Sequence, residues 1–223
     1  ARRAVFMLDT SLSAQPDRFG IDVALMEAIL ANNEEIEEFA VMSFDVNARW
    51  LTDGMIANHA AHRRQVLADL DGIMLEGATN FGSALNALRE PPFSTDGNGY
   101  VDVFLMSDGV INWGDGDARR LVAQTEAALP FGARFFAYRT GLGAENLELY
   151  QALTRRGAIF NCMTMDSIPA CAEAHTRPGI ILTSVAVEGM GDAPGRADEI
   201  LIAGRQATLF PGAQITIAGR VLV

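Results

Sequence analysis

Ala4-Val-Phe-Met-Leu-Asp-Thr-Ser-Leu-Ser13 joins a run of large apolar residues to a group of oxygen-bearing side chains. The apolar part is too short for a helix and is typical of a buried strand. Asp9, Ser11 and Ser13 follow at alternate positions, which places them at the carboxyl edge of a sheet, where open α/β sheets bind ligands. Oxygen donors alone favour a hard divalent cation, Mg²⁺ or Ca²⁺, over zinc. Alternatively, Ser11 or Ser13 caps the next helix and Asp9 hydrogen-bonds the loop.

The 223-residue chain is rich in apolar residues and strongly acidic. Its hydrophobic fraction of 49% is ample for a large core, so the composition argues against disorder. The formal net charge of −11 argues against a nucleic-acid-binding surface, which needs clustered Lys and Arg. The same charge fits a protein that gathers cations, although simple solubility explains it as well. No apolar stretch approaches the ~18 residues that a membrane-spanning helix needs.

The ends of the sequence favour a piece of a longer protein. It starts with Ala-Arg-Arg rather than Met, and it stops within the apolar run Val-Leu-Val223. The absence of a signal peptide therefore says little about the location of the protein. Cys162 and Cys171 lack the spacing of a zinc site. We expect them to be two buried thiols or one local disulfide, a pair that leaves the redox compartment open.

Apolar periodicity predicts strands that alternate with helices as far as residue 178. The predicted strands cover residues 4–8, 36–44, 46–51, 100–106, 133–139 and 158–162, and the predicted helices cover 17–32, 59–70, 83–89, 117–129, 145–156 and 166–175. Asp45 alone separates the second and third strands, which indicates an antiparallel pair at a sheet edge. The predicted fold class is α/β, with a doubly wound, mostly parallel central sheet, one antiparallel edge strand, and helices on both faces.

After Pro178 the pattern changes to short apolar runs separated by Gly, Pro and Asp, without helical periodicity. The runs cover residues 180–187, 199–203, 207–209 and 214–223. The last of them alternates as a half-buried strand does. Two units are thus predicted, a domain at 1–178 and a C-terminal all-β appendage at 179–223, which we expect to belong to a second β-rich unit.

Two later loops bring similar side chains to the same predicted edge. Thr79 lies in a glycine-containing loop ahead of a helix, and Asp108 follows the 100–106 strand within Ser-Asp-Gly. Together with Asp9-x-Ser-x-Ser13, they resemble the metal-ion-dependent adhesion site (MIDAS) of von Willebrand factor type A domains, a Rossmann-like family that includes the inserted domains of integrins. Leu12 departs from that pattern, because the family often has Gly there.

The resemblance implies a metal-dependent protein-binding module and not an enzyme. It implies that Ser11, Ser13 and Thr79 bind Mg²⁺ directly, with Ca²⁺ or Mn²⁺ as alternatives, and that Asp9 and Asp108 act directly or through water. A remaining coordination position would accept an Asp or Glu side chain from a partner protein. The family also favours an extracellular or cell-envelope location. No nucleic-acid partner and no membrane span are expected for this piece.

Two other functions compete with this one. The domain could be a scaffold whose metal site is structural or unused, and binding that survives EDTA would distinguish that case. A Mg²⁺-dependent hydrolase is the third alternative, but the sequence offers no general base at this edge. Trp113, in the loop after Asp108, is a candidate for partner binding or for packing over the loop. Asp115 and Asp117 are expected to cap a helix rather than to hold a second cation.

Gly204-Arg-x-x-x-Leu-Phe-Pro-Gly212 and the strand after it are similar to the β segment that follows the type A domain in inter-alpha-trypsin inhibitor heavy chain-like proteins. In those proteins a β-rich VIT domain precedes the type A domain. The similarity implies that residues 180–223 pair with strands outside this sequence or fold back as a small sheet. Gly141-Leu-Gly143 lacks the third glycine of a dinucleotide-binding fingerprint and is expected to form a turn.

Overall fold

The computed structural model describes residues 2–95, 100–140, 145–176, 179–183, 200–202, 208–213 and 215–219. Its main strands are β1 (Arg2–Asp9), β2 (Ile36–Phe44), β3 (Ala48–Trp50), β4 (Ile56–Ala57), β5 (Val101–Met106), β6 (Ala133–Thr140) and β7 (Ala158–Cys162). The helices are α1 (Pro16–Asn32), α2 (Ala60–Asp71), α3 (Phe81–Arg89), α4 (Ala118–Ala128), α5 (Leu147–Leu153) and α6 (Ile168–Glu173). None of the described helices has both the length and the apolar character needed to cross a membrane.

These strands form one sheet in the order β3-β2-β1-β5-β6-β7, with β4 also paired to β2. β1 runs parallel to β2 and β5, and β6 and β7 extend the parallel part, whereas β3 and β4 are antiparallel to β2. The predicted doubly wound sheet with an antiparallel edge is therefore confirmed. The chain passes from β1 to β2 on one side and later returns to β5 on the other side. A topological switch point, where such sheets bind ligands, thus lies between the carboxyl ends of β1 and β5.

Apolar side chains fill both faces of the sheet. One layer of the core packs against α1, α2 and α6, and the other packs against α3, α4 and α5. Phe6 and Leu8 of β1 enter the first layer, and Val5 and Met7 enter the second, as the period of two in a strand requires. Burial on both faces explains why β1 is continuously apolar.

A row of aromatic rings crosses the first layer of the core. Phe6 stacks on Phe104 at a centroid distance of 4.7 Å, and Phe104 lies 5.4 Å from Phe136. His175, in a 3₁₀ turn after α6, packs against Phe104 and Phe136, and its ring is hydrogen-bonded to the Tyr138 hydroxyl. Phe104 is fully buried and lies between neighbours on both sides, so it is a central packing residue of this layer.

The predicted elements of the main sheet and its helices are present. The prediction and the structure differ where tertiary contacts determine the secondary structure. β4 is not predicted from the sequence, because two residues carry no periodic pattern and only the pairing of Ile56 and Ala57 with Phe39 and Glu38 defines this strand. The helix predicted over 166–175 is divided into a 3₁₀ turn, α6 and a second 3₁₀ turn. Cys162 and Cys171 are free, buried thiols.

The described part of the tail consists of two short antiparallel pairs. β8 (Ile180–Ile181) pairs with β10 (Thr208–Leu209), and β9 (Ile200–Ile202) pairs with β11 (Ile217–Gly219). These strands fit the predicted β appendage. Phe210, which follows β10, is buried, with its ring centroid 5.0 Å from that of Phe136.

Several parts of the sequence predictions lie outside the described residues. One is the turn at Gly141–Gly143. The others belong to the apolar runs of the tail: residues 184–187, 199, 203, 207, 214 and 220–223. The start of the 204–212 segment, residues 204–207, also lies outside the description. The division of the chain at residue 178 stays a prediction.

One carboxyl group lies buried on α1. Asp22 is 2% exposed, and its Oδ1 atom has no hydrogen-bond partner among the described residues. Burial raises the pKa of Asp22 to about 8, although the nearby Thr140 hydroxyl and Arg18 guanidinium act in the opposite direction. The folded protein therefore favours the protonated form of this side chain.

Replacement of Phe104 by Ala is expected to lower the free energy of unfolding by about 3–5 kcal/mol, because it removes a ring from the middle of the row and leaves a cavity. Urea unfolding followed by circular dichroism measures the change. Met74→Ala, at a residue that is 78% exposed, is the control and should change stability by less than about 0.5 kcal/mol. A loss for Phe104→Ala no larger than that of the control would contradict the packing described above.

Asp22 makes the stability of the protein pH-dependent. Its pKa in the unfolded chain is near the model-compound value of 3.8, and in the folded protein it is about 8. Between these values only the unfolded state gives up the proton, so this group lowers stability as the pH rises from about 4 to about 8. In EDTA, Asp22→Asn should therefore raise the melting temperature by about 5 °C or more above pH 8 and change it little near pH 4.

Thermal denaturation across this pH range, monitored by circular dichroism, tests the effect of Asp22. Glu27→Gln, at an exposed position of the same helix, is the matched control and should not alter the pH profile. Parallel profiles for Asp22→Asn and the wild type would show that Asp22 does not keep its proton in the fold.

Candidate metal centre

Three hydroxyl groups meet at the carboxyl edge of the sheet. The Thr79 hydroxyl donates to Ser11 Oγ at 2.8 Å, and Ser13 Oγ lies 3.0 Å from Ser11 Oγ and 3.4 Å from Thr79 Oγ1. Ser11 and Thr79 are fully buried, whereas Ser13 is half-buried. The fold therefore joins hydroxyls from two distant loops into one cluster that reaches solvent at Ser13.

Two buried carboxyl groups extend from the ends of the adjacent strands β1 and β5. Asp9 Oδ1 accepts a hydrogen bond from the Ser11 N–H at 3.0 Å, and its Oδ2 accepts one from the Ser107 hydroxyl at 2.6 Å. Asp108 Oδ1 accepts a hydrogen bond from the Val110 N–H at 2.9 Å. Burial raises the pKa of Asp9, the bonds from Ser107 and Ser11 oppose this rise, and the charge of Asp108 adds to it. The site thus concentrates negative charge away from water.

Hydrogen bonds tie the three loops of the site to one another. The Leu12 N–H donates to the Gly77 carbonyl at 3.2 Å. The Thr79 N–H donates to Asn112 Oδ1 at 2.6 Å, and the N–H groups of Asn112 and Trp113 donate to the Thr79 carbonyl at 3.3 and 3.2 Å. The loop that carries Thr79 is therefore held from both sides.

Gly109 lets the chain turn directly after Asp108. Its φ is +68°, and a Cβ at this position would lie 2.9 Å from the Tyr150 ring, so a larger residue would strain the backbone and meet that ring. The Tyr150 hydroxyl donates to the Ser107 carbonyl, and the Asn146 N–H donates to the Asp108 carbonyl at 3.0 Å. The beginning of α5 thus supports the loop that presents the second carboxylate.

A guanidinium group also faces the site. Arg18, in the first turn of α1, has a side chain that is 8% exposed, and its Nη1 lies 3.6 Å from Asp108 Oδ2. This residue is not predicted from the sequence, since no spacing rule relates it to Asp108. The role of Ser107 is not predicted either, because this residue appears in the motif only as a neighbour of Asp108. A Ser that ends a strand next to a motif carboxylate is the signal that would have indicated a second support for Asp9.

The donor set fits a hard divalent cation. Hydroxyl and carboxyl oxygens are ligands that Mg²⁺, Ca²⁺ and Mn²⁺ accept, and the two carboxylates would balance a charge of +2. Among the described residues, no group of three or more His, Cys, Asp and Glu side chains is arranged to hold a metal ion. The hydroxyl cluster with its two carboxylates is the candidate centre because of its oxygen donors.

Two exposed apolar side chains lie in the loops of the site. Leu12 is 67% exposed and Trp113 is 58% exposed, so more than half of each residue reaches solvent. The side chain of Asp117 accepts a hydrogen bond from the Arg120 N–H at 2.9 Å as the N-cap of α4. Asp115 pairs with the Arg120 side chain, with Nε 2.8 Å from Oδ2. The expected capping role of Asp117 is confirmed.

Comparison with known proteins agrees with this architecture. The family model of the von Willebrand factor type A domain matches residues 4–110. No curated protein matches the sequence. A von Willebrand factor type A protein from Catenulispora acidiphila is 15% identical, with a TM-score of 0.63 over 78% of this chain and 42% of that chain.

Two further structures are similar. Proximal thread matrix protein 1 from the mussel byssus, with a zinc-occupied MIDAS motif, is 16% identical, with a TM-score of 0.55 over 78% of this chain and 47% of that chain. The ArnB paralog VWA2 from Sulfolobus acidocaldarius is 14% identical, with a TM-score of 0.55 over 99% of this chain and 56% of that chain. The present chain thus spans less than two thirds of each. Sheet order, helical layers and the family match agree, and the chain has the fold of a von Willebrand factor type A domain.

Proposed function

We propose that this chain is a metal-dependent protein-binding module in which a divalent cation accepts an acidic side chain from a partner protein. The observation that carries the proposal is the cluster of three hydroxyl oxygens within 2.8–3.4 Å of one another, beside two buried carboxyl groups. The zinc-occupied MIDAS motif of the mussel protein supports a divalent ion in this fold. Mg²⁺ is the proposed ion, and Ca²⁺ or Mn²⁺ would suit the same oxygen donors.

The proposed ligands have different roles. Ser11, Ser13 and Thr79 would bind the cation through neutral hydroxyl oxygens, and Asp9 and Asp108 would balance its charge directly or through water. Both carboxyl groups already accept hydrogen bonds from the protein, which weakens them as donors to a metal. A cation held in this way remains a Lewis acid that attracts a further carboxylate.

The partner is proposed to present Asp or Glu next to an apolar residue. The half-buried Ser13 leaves the hydroxyl cluster accessible from outside, and Leu12 and Trp113 expose apolar surface in the loops of the site. Aromatic side chains at such positions often contribute much of the binding energy of an interface. The carboxylate would then bind the ion while its neighbours contact the apolar rim.

A binding role fits the site better than catalysis. The chain has three histidines, and none of them lies at this edge. His59 and His62 lie at the start of α2, where the His62 ring contacts the Ala57 carbonyl, and His175 lies within the aromatic row. The hydrolase alternative therefore lacks a histidine base there. A scaffold role with an unused metal site remains the second candidate, and sensitivity to EDTA separates it from the first.

We make two further proposals about the tail, on its membership in a second unit and on the position of the boundary. The similarity to inter-alpha-trypsin inhibitor heavy chain-like proteins implies that the tail belongs to a second β-rich unit, with the boundary near residue 178. The short pairs β8–β10 and β9–β11 fit a β-rich tail, whereas Phe210 of the same tail packs into the core of the main sheet.

Thr79→Val should abolish or strongly weaken divalent-ion binding, because it removes one oxygen ligand while keeping the shape of the side chain. Isothermal calorimetry with Mg²⁺ and Mn²⁺ measures the affinity, and a loss of about tenfold or more is expected. Asp115→Ala, which removes a nearby exposed carboxylate, is the matched control and should bind like the wild type. Equal affinities for Thr79→Val and the wild type would place any bound ion elsewhere.

Trp113→Ala should weaken the partner interaction without changing the affinity for the ion. A displayed peptide library selected on the domain in Mg²⁺ and eluted with EDTA provides the probe, and enriched peptides should contain Asp or Glu beside an apolar residue. Their affinity should fall about tenfold or more in Trp113→Ala. Tyr100→Ala, 50% exposed at the opposite end of β5, should have no effect. Enrichment that survives EDTA would favour the scaffold role instead.

A further inference from the structure

Arg18 places a fixed positive charge inside the acidic site. Its side chain is 8% exposed, and its Nη1 atom lies 3.6 Å from Asp108 Oδ2. This distance is longer than the 2.7–2.9 Å typical of a charge-assisted hydrogen bond. The guanidinium therefore neutralises Asp108 through space but is not locked to it, and a modest movement of the side chain would release the carboxylate.

A second carboxyl group lies within reach of Arg18. Asp22 follows it by four residues, so both project from the same face of α1. Asp22 is 2% exposed, its Oδ1 has no hydrogen-bond partner among the described residues, and no ion pair joins it to Arg18 in the described structure. The charge of Arg18 lowers the pKa of Asp22, in keeping with their spacing of four residues on α1. The Oδ1 atom of Asp22 is thus a buried oxygen without a hydrogen-bond partner among the described residues.

We infer that Arg18 is a built-in competitor of the divalent cation, which pairs with Asp108 in the metal-free protein and turns to Asp22 when the cation binds. This inference rests on the proposed function, since it requires that the site binds a cation. A guanidinium and a divalent ion at the same carboxylate repel each other, so binding of the ion favours any arrangement that moves Arg18 away. The linkage is reciprocal, so Arg18 must in turn lower the affinity of the site for the ion.

This arrangement gives the site a regulated affinity. In the metal-free protein, Arg18 offsets part of the repulsion between Asp9 and Asp108, which would otherwise face each other without a cation. In the metal-bound protein, the same charge would pair with Asp22, which would release its proton to solvent as the ion pair forms. Ion binding would therefore change the first turn of α1 as well as the rim of the site.

Calorimetry with Mg²⁺ and Mn²⁺ at neutral pH tests the inference. Arg18→Met should bind the ion about tenfold more tightly than the wild type, because the competing charge is gone. Arg18→Lys, which keeps the charge, should remain within about threefold of the wild type. Arg64→Met removes an exposed positive charge from α2 and is the matched control, with an affinity within about twofold of the wild type.

Asp22→Asn tests the second half of the inference. In the wild-type background, this substitution should lower the affinity for the ion about threefold or more. In the Arg18→Met background it should have no further effect, since Asp22 acts through Arg18. A purely structural role for Asp22 would give the same change in both backgrounds. In the wild type, the side-chain Nε–H signal of Arg18 in NMR spectra should also move on saturation with Mg²⁺, a measurement that needs no variant.

The outcomes separate this inference from the proposed function. If Thr79→Val abolishes ion binding while Arg18→Met binds no more tightly than the wild type, the site holds a cation and the competitor role of Arg18 is wrong. An Arg18 signal that does not respond to Mg²⁺ would overturn it equally. If neither the wild type nor Arg18→Met binds a divalent ion, both the proposed function and this inference fail.

Discussion

The removal of two like-charged carboxyl groups from water is the constraint on which this site depends. Asp9 and Asp108 are 1% and 5% exposed, and they follow strands that are direct neighbours in the sheet. Burial of such charges is costly unless hydrogen bonds and opposite charges compensate for it. Ser107 and the Ser11 N–H stabilise one carboxyl group, and the Val110 N–H and Arg18 stabilise the other. The local turns, including the one at Gly109, serve to bring these compensating groups into place.

Sheet topology explains why the charges meet at this point. The chain reverses its winding direction between β1 and β5, so the loops after these two strands diverge and leave a crevice between them. The loop with Thr79 is hydrogen-bonded to the loops that follow both strands. The proposed ion ligands and the exposed apolar residues occupy different positions of the same loops. In the proposed function, the affinity for a cation and the choice of a partner would therefore change independently through substitutions in these loops.

The sequence predicts most of the fold and the five proposed ligands, because both depend on local patterns. β2 and β7 have the predicted bounds, since continuous apolar runs flanked by turns leave little choice. β4 has no such pattern, and the predicted 166–175 helix contains Pro169 and breaks into shorter turns that packing stabilises. The residues that surround and stabilise the proposed ligands cannot be predicted from the sequence either. The position of Arg18 beside Asp108 arises only when α1 lies across the end of the sheet, and no local rule contains that contact.

Phe210 of the tail is part of the hydrophobic core of the main sheet. Its ring packs edge-on against Phe136, and Gly179 leaves the room that Phe210 and Thr208 occupy, since a Cβ there would come within 3 Å of both. A recombinant fragment cut at the sequence boundary near residue 178 would therefore uncover an aromatic surface on the first layer of the core. Fragments prepared for crystallisation or binding work should extend at least through Phe210, because exposed aromatic patches of this kind promote self-association that would be mistaken for adhesion.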